Sequence, residues 1–140
     1  MNKETLVSFF ETLNKEVSLE AFGTIYDHAV VFKDPFNEVK GISAVYRIFQ
    51  DMYLSLDDPR FIIREYVQNE SIAYVKWDFI FHFKGNKNEN RFEGVSRIEM
   101  NVEGKIISHV DFWDASEHIY EKIPLLGSVL RFVKRKIAGN

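Results

Sequence analysis

Cysteine is absent from all 140 residues, which excludes disulfides, thiolate metal sites and a Cys nucleophile. No apolar run reaches the ~18 residues that a membrane-spanning helix needs. The opening Met1-Asn2-Lys3-Glu4-Thr5 starts no secretory-type apolar stretch either, so a cytoplasmic protein is expected. Gly-rich phosphate loops and Ser-nucleophile motifs are missing as well. The four histidines (His28, His82, His109, His118) show no ligand spacing. Neither a metal nor another cofactor is expected.

What is present is apolar and aromatic. Hydrophobic residues make up 46% of the chain and aromatics 15%, with 13 Phe against three Pro. That composition fits a packed globular protein, and the length suits one domain, 1–140, with a substantial core. The net charge of −3 is uneven: residues 115–140 carry +3 and the remainder −6. An acidic body argues against nucleic-acid binding, while the basic tail is open to an anionic partner.

Residues 5–14 place Leu6, Phe9, Phe10 and Leu13 at helical spacing. Ser18 suits the N-cap of a second helix, with Leu19, Phe22, Ile25 and Tyr26 facing inward. A short β-like run, 30–34, ends in Asp34 directly before Pro35, and residues 37–41 read as a loop. A third helix over 43–56 carries Val45, Ile48, Phe49 and Met52 toward the core, and Asp57-Asp58-Pro59 stops it. From Arg60 the period changes to two. Strands are expected at 61–68, 71–83, 91–101 and 105–113, and their short polar links imply antiparallel pairing. Ala73, Val75, Trp77, Phe79, Phe81 and Phe83 form one apolar face of the second of these. Helices followed by an antiparallel meander define an α+β domain. Beyond Pro124, residues 125–137 read as a basic amphipathic helix in an extension covering 121–140. Its apolar stripe favours packing over the pocket mouth or a dimer seam rather than contact with a membrane surface.

Alternation sends His109, Asp111 and Trp113 to one face of the last strand. An acid set between an imidazole and an indole is costly to bury without a task or a partner. The functional reading makes Asp111 a pocket acid or base; the structural one makes it a carboxylate bonded to His109 or to a Tyr. His109 either orients Asp111 or is a satisfied core histidine. Asp34 is a second pocket acid or a turn cap. Trp77 and Trp113 are a flat pocket wall or ordinary core. Asp114, with Glu117 three residues on, reads as the cap of a following helix.

The order helix, helix, short strand ending in Asp-Pro, helix and meander resembles the nuclear transport factor 2-like superfamily over about residues 5–120. The segments Phe32-Lys33-Asp34-Pro35-Phe36, Leu56-Asp57-Asp58-Pro59-Arg60-Phe61, Asp111-Phe112-Trp113-Asp114 and Tyr120-Glu121-Lys122-Ile123-Pro124-Leu125-Leu126-Gly127 are similar to its SnoaL-like branch. The resemblance implies a cone-shaped fold, with N-terminal helices packed on a strongly bent antiparallel sheet around a deep pocket. Among its enzymes, ketosteroid isomerases place a base where Asp34 stands, but their two oxyanion donors fall on Phe9 and Ser96. Losing one such donor costs about 10²–10³ in rate, so steroid isomerisation is not expected. Limonene-type epoxide hydrolases match at Asp111, but their Arg and second Asp fall on Trp77 and Phe79. Polyketide cyclases are contradicted least, with Asp111 moving a proton during aldol closure and Asp34 assisting.

The combined expectation is a cofactor-free pocket protein that binds a small hydrophobic molecule and catalyses isomerisation or aldol-type cyclisation. Asp111, Asp34 and His109 are its candidate catalytic residues, and Phe9, Trp77, Phe79, Ser96 and Trp113 its candidate lining. The alternative is a non-catalytic ligand-binding or dimeric interaction module. The resemblance also implies a homodimer across the outer sheet face, with Tyr74, Ile80 and Val110 in the contact.

Overall fold

Asn2 starts the first helix, α1 (Lys3–Glu11), by accepting the Thr5 N–H on its side-chain oxygen at 2.9 Å, which satisfies one of the helix's free N-terminal donors. The computed structural model describes residues 2–113. Leu6 and Phe10 face inward from α1 and join Leu13 in the core. Ser18 caps α2 (Leu19–Gly23) in the same way, accepting from the Ala21 N–H at 3.1 Å. This helix is shorter than its apolar spacing implied. Tyr26, expected on its inner face, instead opens β1 (Tyr26–Lys33).

Residues 37–41, read as a loop, contain an edge strand, β2 (Glu38–Lys40), paired antiparallel with β1. Three residues are too few to display a period. Gly41 then donates to the Val30 carbonyl at 2.7 Å and adopts a φ of +99°, a conformation that side chains resist. It leads into α3 (Ile42–Ser55), which buries Val45, Phe49 and Tyr53.

The helix passes directly into β3 (Leu56–Asn69). Asp57-Asp58-Pro59 therefore do not stop a helix; they lie in the strand, where the pairing shifts between Asp57 and Arg60 and Asp58 takes a φ of +49°. Such a bulge bends the strand locally. β4 (Ile72–Phe83), β5 (Asn90–Met100) and β6 (Ile106–Trp113) follow as antiparallel neighbours. The full sheet has six strands in the order β2-β1-β6-β5-β4-β3. The expected four-stranded meander is thus one part of a mixed sheet in which β1 runs parallel to β6.

Alternation along β4 turns Ala73, Val75, Trp77, Phe79 and Phe81 into the core. Each large side chain buried there contributes about 1.5–3 kcal/mol. Helices α1 and α3 pack against β3 on this side, and α3 also reaches β1. The fold class is α+β. On the opposite face Tyr74 is 48% exposed, but Ile80 is only 1% exposed within the single chain, which removes Ile80 from the expected outer contact. The expected Asp114 cap and the basic helix over 125–137 lie outside the described residues. Among the described residues no helix is long and apolar enough to cross a membrane.

Candidate active site

The parallel pairing of β1 with β6 sets Lys33 opposite Val110. Asp111 is the next residue of β6, and Asp34 follows directly on the end of β1. Two acids far apart in sequence thereby line one cavity of about 120 Å³. Its wall includes Phe32, Phe61, Trp77, Phe79, Phe92 and Trp113. Both acids and Trp113 also border an open outer groove. An inner chamber of about 20 Å³ lies against Phe10, Ser96, His109 and Asp111, and holds about one water by volume.

Asp34 is fixed by its own turn. Its Oδ1 accepts the backbone N–H groups of Phe36 and Asn37 at 2.8 and 2.6 Å. The Asn37 amide also donates to both carboxyl oxygens at 3.1 Å. Burial raises the Asp34 pKa above the ordinary Asp value, against the lowering pull of these hydrogen bonds, and the negative charge of Asp111 adds to the rise. The site therefore holds a proton on Asp34 more tightly than water does.

Asp111 is fixed by four other elements or strand positions. Antiparallel register puts Ser96 opposite it on β5. Ser96 Oγ donates to Asp111 Oδ1 at 2.5 Å, and His109 Nε2 lies 2.7 Å from the same oxygen. Behind them, Trp77 Nε1 donates to Ser96 Oγ at 2.9 Å, while the Tyr26 hydroxyl lies 2.8 Å from His109 Nδ1. With Asp111 ionised and the ring neutral, Nε2 must carry the imidazole proton and Nδ1 must accept from Tyr26. Burial, reinforced by the Asp111 charge, holds the Tyr26 pKa well above its ordinary value, so the phenol stays a donor. Every donor in this chain points toward Asp111 Oδ1. Among the described residues Oδ2 makes no hydrogen bond. Hydrogen bonds to a charged acceptor contribute about 1.5–3 kcal/mol each, enough to hold the carboxylate in one rotamer against its conformational entropy.

Room for this arrangement comes from Gly94, which pairs with Trp77 across β4 and β5. A Cβ at Gly94 would stand 2.4 Å from the indole ring. The bare glycine lets Trp77 lie across the strand and reach Ser96.

Of the sequence-derived candidates, Asp34, Asp111, Trp77, Phe79 and Trp113 line the main cavity, and Ser96 and His109 line the inner chamber. Phe9 lines neither of these. It packs edge-on against Phe10, Phe22 and Tyr26, and its neighbour Phe10 reaches the inner chamber instead. Adjacent Phe residues on a helix differ by about 100° in direction, which spacing alone resolves poorly. Sequence reasoning missed Tyr26, Asn37, Phe61 and Phe92. Tyr26 carried a signal, since a Tyr beside Asp27-His28 at a strand start is an unusual core residue, but its partner His109 follows only from the β1–β6 pairing.

The SnoaL-like domain family matches residues 6–109, a span that contains Asp34, Ser96 and His109 and stops just short of Asp111. No protein of curated function matches the sequence. A candidate SnoaL-like polyketide cyclase from a Jannaschia species shares 11% identity over 86% of this chain and 89% of its own, with a TM-score of 0.73. A Catenulispora acidiphila protein with a ketosteroid isomerase-like fold, solved in complex with trimethylamine, shares 13% over 83% of this chain and 89% of its own, with a TM-score of 0.69. An NTF2-like protein of unknown function from an Exiguobacterium species shares 15% over 81% and 98%, with a TM-score of 0.66. At these identities the likeness shows a common fold.

Proposed function

The chain belongs to the SnoaL-like domain family, and from that premise we propose that it binds a small, mostly apolar carbonyl compound and moves a proton on it. Asp111 is the base in this reading. Its carboxylate takes a proton from the carbon next to the carbonyl; the C–H electron pair becomes the enolate, and Asp34, as the neutral acid, hydrogen-bonds or protonates the developing oxygen anion. Return of the proton to another carbon gives isomerisation. Attack of the enolate carbon on a second carbonyl within the same molecule gives aldol-type closure. His109 and Tyr26 do not meet the ligand; they set the orientation of Asp111.

The observation that carries this reading is the pair of carboxyls at one cavity in unlike settings. Asp111 has donors converging on one oxygen, and Asp34 has its pKa raised by burial and by its neighbour's charge. Environments that separate two acids in this way assign them opposite roles in proton transfer. Phe9 and Ser96, which stand where steroid isomerases carry oxyanion donors, leave Asp34 to supply that stabilisation. The polyketide-cyclase likeness of the Jannaschia protein supports a carbonyl substrate.

The test is deuterium exchange at the α-carbons of cyclopentanone in D₂O, followed by NMR. The native protein should exceed the buffer rate by about 10² or more, the usual reach of a positioned acid–base group. Asp111→Asn should return exchange to the buffer rate while its melting profile remains cooperative. Equal exchange by the native and variant proteins removes Asp111 from the chemistry. Exchange at the buffer rate by the native protein leaves the cavity as a binding site without catalysis.

A further inference from the structure

Several acidic side chains elsewhere in this chain, including the buried Asp78, have basic partners. Asp57 meets Lys84 at 3.1 Å, Asp58 meets Arg60 at 2.7 Å, and Glu93 meets Lys76 at 2.6 Å. Asp78 is held by Arg64 at 2.8 Å and Arg91 at 3.6 Å. Asp34 and Asp111 differ. Among the described residues neither pairs with a Lys or Arg, and the residues lining their cavity include no Lys, Arg or His. His109 touches Asp111 from the inner chamber as a hydrogen-bond donor, and Lys33 borders the outer groove. The cavity wall is otherwise mainly aromatic, and ring faces attract cations while repelling anions.

Resting on the pocket reading above, we infer that the ligand of this cavity carries a positively charged nitrogen, as a protonated amine or a quaternary ammonium. Such a group supplies the counter-charge that the described lining residues leave out. It places the ammonium against the carboxyls and its apolar substituents against Phe61, Phe92 and Trp113. An anionic ligand meets two acids and, among the described lining residues, no base. A neutral one leaves the Asp111 charge uncompensated in a half-dry site, which is costly for buried charge. The cavity, at about 120 Å³, has room for a compact trialkylammonium head. Any larger part of the molecule would extend into the outer groove.

Three probes of one shape and different charge test this by calorimetric titration: choline (cation), 3,3-dimethylbutan-1-ol (neutral) and 3,3-dimethylbutanoate (anion). Choline should bind at least about tenfold tighter than the alcohol, a free-energy difference of about 1.4 kcal/mol, and the anion should not bind measurably. Asp111→Asn should weaken choline by about tenfold, and Asp34→Asn by less, because Asp34 holds its proton more tightly. Alcohol binding should change less than choline binding in Asp111→Asn, and a cooperative melt verifies that both variants are folded. The inference is overturned if the alcohol binds as tightly as choline, if the anion binds better, if both variants retain full choline affinity, or if none of the probes binds. Asp111-dependent ketone exchange in any of those cases would keep the proton-transfer reading while discarding the cation.

Discussion

On the outer face of the sheet Asp78 is clamped between Arg64 and Arg91, and Lys76 meets Glu93. On the inner face Asp34 and Asp111 share a cavity with aromatic rings and, among the described residues, no lining base. Both faces draw on neighbouring strands, so the same twofold alternation serves both. The difference lies in how the charge is answered. Outside, opposite charges neutralise one another and the carboxylates serve as cross-strand ties. Inside, hydrogen-bond donors fix the acids in place without neutralising them. Such an arrangement costs stability, because two like charges at close quarters repel and one is driven to hold its proton. Proteins keep arrangements of this kind where function requires them.

Three substitutions sharpen this contrast, in descending order of effect. Gly94→Ala puts a methyl group where the Trp77 ring lies, and the rigid indole must move. Overpacking of this sort costs about 1–3 kcal/mol, seen as a lower melting temperature. Loss of the Trp77–Ser96 bond should also shift the tryptophan fluorescence. An unchanged melt and spectrum would show that Trp77 does not depend on the bare glycine.

Asp34→Asn should act in the opposite direction. Because the folded-state pKa of Asp34 is raised, the native protein holds this proton more tightly than the unfolded chain does. The stability tied to Asp34 is therefore complete below the ordinary Asp range and is lost as pH rises through the raised value. Asparagine keeps an acceptor for the Phe36 and Asn37 N–H groups and carries no charge. The variant should equal the native protein in acid and exceed it in melting temperature at neutral pH. A variant less stable at neutral pH would mean that the carboxylate is better stabilised than its surroundings imply.

The smallest change is expected on the outside. Glu89→Gln removes the exposed Arg60–Glu89 pair, and exposed pairs contribute about 0–1 kcal/mol. A melt within experimental error of the native protein is the expected result. A large loss would make the outer charges more than superficial ties.

The parts of this site that were legible in the sequence are those set by local alternation. His109, Asp111 and Trp113 share a face because they are two apart on a strand, and Trp77 and Phe79 do so for the same reason. Asp34 announced itself by its place before Pro35. What stayed hidden depends on pairings between distant segments. The Tyr26 hydroxyl reaches His109 only because β1 runs parallel to β6, and no local pattern encodes that register. Gly94 looked like an ordinary glycine until β4 was set beside β5. Phe9 and Phe10 are adjacent members of one apolar stripe, and only the docking angle of α1 decides which one faces the chamber. The three residues of β2 are recruited by β1 rather than by their own propensity.

The most direct test of the account is a carbon-detected NMR titration of the Asp34 carboxyl in the native protein and in Asp111→Asn. The account predicts that Asp34 titrates above the ordinary Asp value in the native protein, and that it moves downward once the neighbouring charge is removed. A native Asp34 that titrates at or below the ordinary value, or one indifferent to Asp111, would contradict the claim that these two carboxyls meet in one shielded cavity.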